Sequence, residues 1–324
     1  MQTISFVIPV YKDAPNVEPT YNEIRALFDE ELKGFDYEFV FVDDGSDDES
    51  LEEMLKLREK DERVVAFKLS RNFGQRSAVL CGLEHCTGDA VVKLSADLQE
   101  PVEVIPKMVE EWQKDNEIVI CYRHHRDDAL IDRFFSNMFY NFLRLSDKRI
   151  PKGGFDFYLL GRRALDNLTA IKYNNRFLQG DLLWLGFNIK YMPYHRKLRA
   201  QGQSQNTLSK RIKFFIDGVL NSTYLPIRFI SSMGIIISFI GFVYALIIIY
   251  NKLTVGAPYT GWSSIMVINL VIGGLIMFML GIIGEYIWRI HDELKDRPNY
   301  VIDKMFNEGK PMNKEQEKHE HGDS

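Results

Sequence analysis

The chain has 324 residues, 46% of them hydrophobic, and a formal net charge of -5; it is long enough for one large globular domain with an appendage. The acidic balance argues against a nucleic-acid binder, whose footprint is a basic excess. Three cysteines, Cys81, Cys86 and Cys121, lack the paired spacing of a zinc site or a disulfide framework and read as reduced core residues.

The amino terminus, MQTISFVIPVY, has no basic leader and too short an apolar run for a signal peptide, so the globular part is expected on the cytoplasmic side. Residues 3 to 10 form a nearly continuous apolar run, as a parallel strand covered on both faces requires. Tyr11, Lys12 and Asp13 follow at once, then a helical pattern over residues 17 to 32. A second strand, residues 37 to 42, stops abruptly at Asp43, Asp44 and Gly45. Ser46 with Glu49 has the spacing of a capping box for a helix over 47 to 60.

A third strand, 64 to 69, ends in SRNFGQ, and a helix runs behind it to His85. The fourth, 90 to 94, leads into SADLQEP, where Pro101 sits near the first turn of a helix over 102 to 114. The fifth, 118 to 122, ends at Arg123. Strands alternating with helices predict a doubly wound, mostly parallel α/β sheet. In that topology Asp13, Asp43, Asp44, Arg71, Asp97 and Arg123 all fall just past the carboxyl end of a strand, where such sheets bind ligands.

Neither GxGxxG nor GxxxxGK[ST] occurs, which disfavours a dinucleotide enzyme and a P-loop ATPase. Acidic residues at a phosphate site need a divalent cation between them and the phosphates. Asp97 and Gln99 offer the oxygen ligands that Mg²⁺ or Mn²⁺ prefers, and the combination points to a sugar-nucleotide transferase.

The aromatic-rich stretch 130 to 145 is expected to pack, under membrane segments or on the sheet. In KGGFDFYLL, Asp156 stands between two Phe; its pattern fits either a positioned base or a cap in a turn. Residues 194 to 213 are dense in basic side chains beside an amphipathic, aromatic segment, as suits an anionic lipid surface.

Phe229 to Asn251 and Thr254 to Gly284 contain no Asp, Glu, Lys or Arg, and each exceeds the ~20 residues that cross a hydrocarbon core. Basic residues flank both outer ends, so the spans are expected to form a hairpin with both termini cytoplasmic. Glu285 and Arg289 read as an interfacial ion pair. Gly273, Gly274 and Gly281 would suit helix pairing in a homo-oligomer. Past Ile302 the polar tail is expected to be disordered.

FVIPVYKD, FVFVDDGSDDES, SRNFGQRSAVLCGLEHCTGDAVV and ADLQEP, in this order, resemble the inverting GT-A glycosyltransferases that include dolichyl-phosphate mannose synthase and bactoprenol glucosyltransferase. FDFYLL, FLQGDLLWLGF and GEYIWRIHDELKDRPNYVI extend the likeness over about residues 4 to 302, and the last motif with the hairpin points to the bactoprenol branch.

The resemblance implies a GT-A catalytic domain over residues 1–205, a juxtamembrane region over 206–226, spans over 227–251 and 263–288 joined by a loop over 252–262, and a tail over 289–324. It implies transfer of a sugar from a nucleotide donor, UDP-glucose by default, to polyprenyl (undecaprenyl) phosphate. Pro9, Tyr11, Asp13, Asp43 and Asp44, with Arg71, fall to the nucleotide sugar, and Asp97 with Gln99 to the metal and diphosphate. Asp156 faces the acceptor, and Arg123, Arg199, Ser204, Lys210 and Arg211 fall to its phosphate.

QGQSQN departs from the commoner AGxSKY-like text, and Ser95 stands where the family usually has an acid. Loss of that carboxylate should weaken divalent-ion binding, because ligand charge sets much of the affinity. Two rivals follow: a processive polysaccharide synthase, against which the absence of QxxRW counts, and a non-catalytic membrane scaffold, which Ser95 favours.

Overall fold

A computed structural model describes residues 1–123, 149–151, 154–172, 176–197, 261–295 and 297–306, with isolated residues at 144 and between 232 and 254. The aromatic stretch 130–145, the basic loop with Arg199, Ser204, Lys210 and Arg211, and most of the expected first span lie outside the described residues.

Eight strands build one sheet: β1 (Gln2–Val10), β2 (Phe35–Asp43), β3 (Val64–Leu69), β4 (Ala90–Lys93), β5 (Ile118–Arg123), β6 (Phe157–Gly161), β7 (Ile189–Tyr194) and β8 (Ile302–Phe306), in the order β7-β5-β6-β4-β1-β2-β3-β8. The sheet is mostly parallel, as expected: β1 to β5 and β7 run one way, while β6 runs antiparallel to both β4 and β5, and β8 runs antiparallel to β3. Disorder past Ile302 is corrected as far as Phe306, because Ile302–Phe306 form β8, and the rest of the tail lies outside the described residues.

The helices are α1 (Ala14–Glu30), α2 (Ser50–Lys60), α3 (Gln75–His85), α4 (Ile105–Gln113), preceded by a 3₁₀ turn over Val102–Val104, α5 (Arg162–Thr169), α6 (Leu178–Trp184) and α7 (Trp262–Glu293). Strand side chains alternate between two faces, and both faces are covered. Phe6, Ile8, Phe39 and Phe41 share one core with Val17, Ile24 and Phe28 of α1, Met54 of α2 and Met108 of α4. Val7, Val40, Val42 and Phe67 share the other with Val79 and Leu83 of α3, Leu165 of α5 and Leu182 of α6. Two-sided burial explains the unbroken apolar runs Phe6–Val10 in β1 and Phe39–Val42 in β2.

The capping box does not form. Glu49 is the residue before α2 and makes no side-chain cap; the Ser46 hydroxyl instead accepts the Lys12 amide at 3.0 Å. On the lower side of the sheet Asp61, almost fully buried, accepts the hydroxyls of Tyr21 and Tyr37, both at 2.8 Å, and Arg63 Nε at 2.9 Å. Burial opposes its ionisation, yet these donors outweigh burial and hold the carboxyl down to about 2.

Among the described residues one helix, over Ile272–Glu293 within α7, is long and apolar enough to cross a membrane. Its large side chains are not packed on the domain: Met277, Phe278 and Ile287 are 70%, 54% and 60% exposed. Eight residues, 294–301, join it to β8, a link of at most about 28 Å. Because β8 runs antiparallel, that link arrives at the carboxyl end of β3.

Candidate active site

The carboxyl edge of the sheet carries two groups of interlocked loops. In the first, the turn after β1 is held by the turn after β2. Lys12, at a positive φ of 51°, donates its amide to Ser46 Oγ, and the Asp13 amide donates to Ser50 Oγ at 3.1 Å. The Asp13 carboxylate, at the start of α1, accepts Asn16 Nδ2 at 2.6 Å.

Asp43 and Asp44, adjacent in sequence, have different situations. Asp43 is fully buried and its Oδ1 accepts the Ser46 amide at 2.9 Å, whereas its Oδ2 has no hydrogen-bond partner among the described residues. A buried carboxylate oxygen left unmatched is costly, which marks it as an acceptor awaiting a ligand donor. Asp44 has both oxygens engaged, accepting the amides of Phe73 and Gly74 at 2.7 and 2.9 Å. Burial pushes its carboxyl up to about 6, against the opposing effect of those two amides.

Asp44 therefore clasps the loop after β3. Gly45 completes the clasp: its φ is +70°, and a Cβ there would lie 2.4 Å from the Arg71 carbonyl carbon. Arg71 stacks over the Phe73 ring at 3.9 Å. Tyr11, Asp13, Asp43, Asp44 and Arg71 are thus tied into neighbouring turns of one edge.

The second group surrounds the turn after β4. Leu98 takes a φ of 53°, and the Asp97 carboxylate accepts the Gln99 amide at 3.3 Å. Ser95 and Glu100 close the turn: the buried Glu100 carboxylate accepts Ser95 N at 3.1 Å and Ser95 Oγ at 3.3 Å. The chain leaving β7 lies across this turn. Lys197 N donates to the Gln99 carbonyl at 3.0 Å, Arg196 donates to the Gln99 side-chain oxygen, and Lys197 Nζ reaches Glu103 at 2.7 Å.

Reversal of β6 brings Asp156 to the same edge, because the residue before an antiparallel strand lies level with the residues after its neighbours. Lys93 pairs with Tyr158 and Cys121 with Phe157. Arg123 Nη2 stands 3.8 Å from Asp156 Oδ2 and its Nε 3.3 Å from the Tyr194 hydroxyl. Burial pushes the Tyr194 hydroxyl up to about 12, so it stays protonated at neutral pH. Gln179 on α6 donates to Asp156 Oδ1 at 3.2 Å and to the Phe155 carbonyl. Asp156 precedes a strand, so it caps no helix, and its side chain is 55% exposed.

Glu100, Tyr194 and Gln179 are members of these groups that carried no role in the site from the sequence, and Arg196 was assigned only to the basic run expected at a lipid surface. Glu100 and Gln179 lie inside ADLQEP and FLQGDLLW, and their location in those motifs was the available signal. Among the described residues no three acidic, His or Cys side chains converge on a metal position. One carboxylate, that of Asp97, still fits a hard cation whose remaining ligands are phosphate oxygens and water.

The carboxyl edge of an α/β sheet thus gathers acidic turns, and a reversed strand brings Asp156, the residue before it, to the same edge. A family model, Glycosyl transferase family 2, matches residues 5–168, and the chain belongs to that family. It is 36% identical over 304 residues to the uncharacterized glycosyltransferase YkcC of Bacillus subtilis (strain 168), covering 93% of this chain and 94% of that one. It is 33% identical over 303 residues to the SfII prophage-derived bactoprenol glucosyl transferase of Shigella flexneri, covering 93% and 97%. A solved structure of glucosyl-3-phosphoglycerate synthase from Mycobacterium tuberculosis, with Mn2+, UDP-glucose and glycerol 3-phosphate, is similar at a TM-score of 0.49 and 19% identity, over 68% of this chain and 80% of that one.

Proposed function

We propose that the protein transfers a hexose, glucose by default, from a nucleoside-diphosphate sugar such as UDP-glucose to polyprenyl phosphate at the cytoplasmic membrane surface. The observation that carries this reading is the short link from α7 to the edge holding Asp97, Arg123 and Asp156. A soluble acceptor gives no reason for an unpacked apolar helix joined to that edge of the sheet by eight residues. The near full-length likeness to a protein named bactoprenol glucosyl transferase supports the same acceptor class.

In this reading Pro9, Tyr11, Asp13 and the free oxygen of Asp43 face the donor's base and ribose, and Asp44 shapes the loop that presents Arg71. Asp97 would hold a divalent cation, Mg²⁺ or Mn²⁺, which would supply neutralisation of the donor diphosphate. Gln99, whose side-chain oxygen accepts Arg196, would add a second oxygen ligand.

The acceptor is a phosphate monoester, with a second pKa near ~6, so its oxygen is already anionic at neutral pH. That oxygen forms a bond to the anomeric carbon while the bond to the donor's terminal phosphate breaks and the nucleoside diphosphate leaves, with inversion. Arg123 screens the approaching acceptor phosphate, and Asp156 positions the acceptor and takes up no obligatory proton. Arg199, Ser204, Lys210 and Arg211 complete the acceptor side. The membrane part is a two-span hairpin with both termini cytoplasmic, in a homo-oligomer.

The test is transfer from a panel of radiolabelled nucleotide sugars to undecaprenyl phosphate in detergent, with Mg²⁺, Mn²⁺ or a chelator, for wild type and Asp97→Ala. Metal-dependent labelling by one donor, lost in the variant, is expected. No lipid product from any donor, with no nucleotide binding, would make the protein a scaffold; a growing glycan chain would make it a processive synthase.

A further inference from the structure

The loop Ser70–Gly74 is held by Asp44 at its far end; its near end is held by the chain that returns from α7. Ser70 donates its amide to the Val301 carbonyl at 2.9 Å, and Leu69 pairs with Ile302. The β3–β8 register shifts between Lys68 and Leu69. Such an irregularity at the end of a pairing re-aims the residues that follow it.

Tyr300, one residue earlier, reaches onto α3, the helix that begins directly after Gly74. Its hydroxyl donates to the Glu84 carboxylate, and its ring meets that of His85 at 6.4 Å between centroids. Tyr300, Ile302 and Met305 all pack against the core cluster beneath α3. The segment therefore contacts the elements on both sides of the loop, β3 before it and α3 after it.

We propose that Tyr300 to Phe306 is a positioning element for the donor-facing loop 70–74, so that donor affinity depends on the segment that emerges from the membrane-length helix. Ser70 and Tyr300 are positioning residues; neither touches substrate. The consequence is coupling: a displacement of α7 is transmitted along a short link to Val301, then to Ser70, then to Arg71. The inference rests on the reading that this loop faces the nucleotide sugar.

The test uses the full chain in nanodiscs, with UDP as probe, comparing wild type, Tyr300→Phe and Tyr300→Ala. Tyr300→Phe keeps the ring on His85 and removes only the hydroxyl, which protects the fold. The UDP Kd is expected to rise about fivefold in Tyr300→Phe, the loss that one intramolecular hydrogen bond represents, and further in Tyr300→Ala. Donor KM should rise in parallel with acceptor KM unchanged, and the Phe73 and Gly74 amides should exchange faster with deuterium. Unchanged UDP affinity in both variants, with faster exchange confined to β8, overturns the inference and leaves the strand as a cover for the sheet edge. If wild type binds no UDP or other nucleotide, the donor reading fails by itself. The positioning role is then decided by exchange at Phe73 and Gly74 alone, unchanged rates overturning it.

Discussion

Arg123 and Asp156 face each other at 3.8 Å from two strands that run in opposite directions. The separation leaves the pair loose, and Asp156 is half exposed, so the two are not a closed structural salt bridge. A pair with a half-exposed partner adds little stability, although Arg123 itself is only 17% exposed. Arg123→Lys, which keeps most of the buried stem, and Asp156→Ala should therefore melt within a few degrees of wild type while losing transfer activity by about a hundredfold, the scale on which positioned polar groups contribute. Nucleotide binding, measured separately by calorimetry, should persist in both. A variant that lost donor binding instead would move the pair to the donor side of the site.

Asp44 gives a pH signature. The folded chain holds its proton up to about 6, whereas an ordinary aspartate releases it near 3.8. A carboxyl whose folded value is raised contributes stability that is complete below the unfolded value and is lost as pH rises through the folded one. Wild type should accordingly lose thermal stability across pH 4 to 6 through this group. Asp44→Asn, which cannot titrate, should lack that part of the slope. It should also be less stable overall, because its amide nitrogen would face the Gly74 N–H or the Phe73 N–H. Melting curves of the two proteins at matched pH values measure the difference.

Gly45→Ala tests the clasp by sterics alone. The added methyl would meet the Arg71 backbone and sit at a φ of +70°, an arrangement that strains any residue with a Cβ. A loss of about 2 kcal/mol is expected, with UDP affinity falling because the turns after β2 and β3 must separate. Unchanged affinity by calorimetry would show that the two turns move independently.

Asp61 should behave in the opposite sense to Asp44. Its folded value is depressed to about 2, so its contribution is present above the unfolded value and is lost as pH falls through the folded one. Asp61→Asn should cost about 2 kcal/mol at pH 7, and its deficit relative to wild type should shrink below pH 3. Its distance from the ligand edge leaves donor and acceptor KM unchanged in a transfer assay.

Much of this layout was readable from residue pattern. The apolar runs of β1 and β2 could be recognised because burial on both faces removes polar positions, and strand ends followed from where Asp13, Asp43 and Arg123 interrupt them. The direction of β6 was not readable. FYLLG looks the same in either orientation, and only its pairing with Lys93 and Cys121 brings Asp156 to the site. β8 escaped because IDKMF is half polar, as edge strands are. Ser46 and Glu49 had the right spacing for a cap, but a contact with Lys12, distant in sequence, took the hydroxyl. Asp43 and Asp44 form one motif in the sequence and have separate duties in the fold, since the division depends on the amides of Phe73 and Gly74.

The antiparallel course of β8 has a practical side. The strand starts beside Leu69 at the ligand edge and ends with Phe306 opposite Ala66, heading toward the rear of the sheet. The chain at Phe306 has thus turned away from the ligand edge, so a reporter inserted directly after Phe306 would start from the side opposite the chemistry.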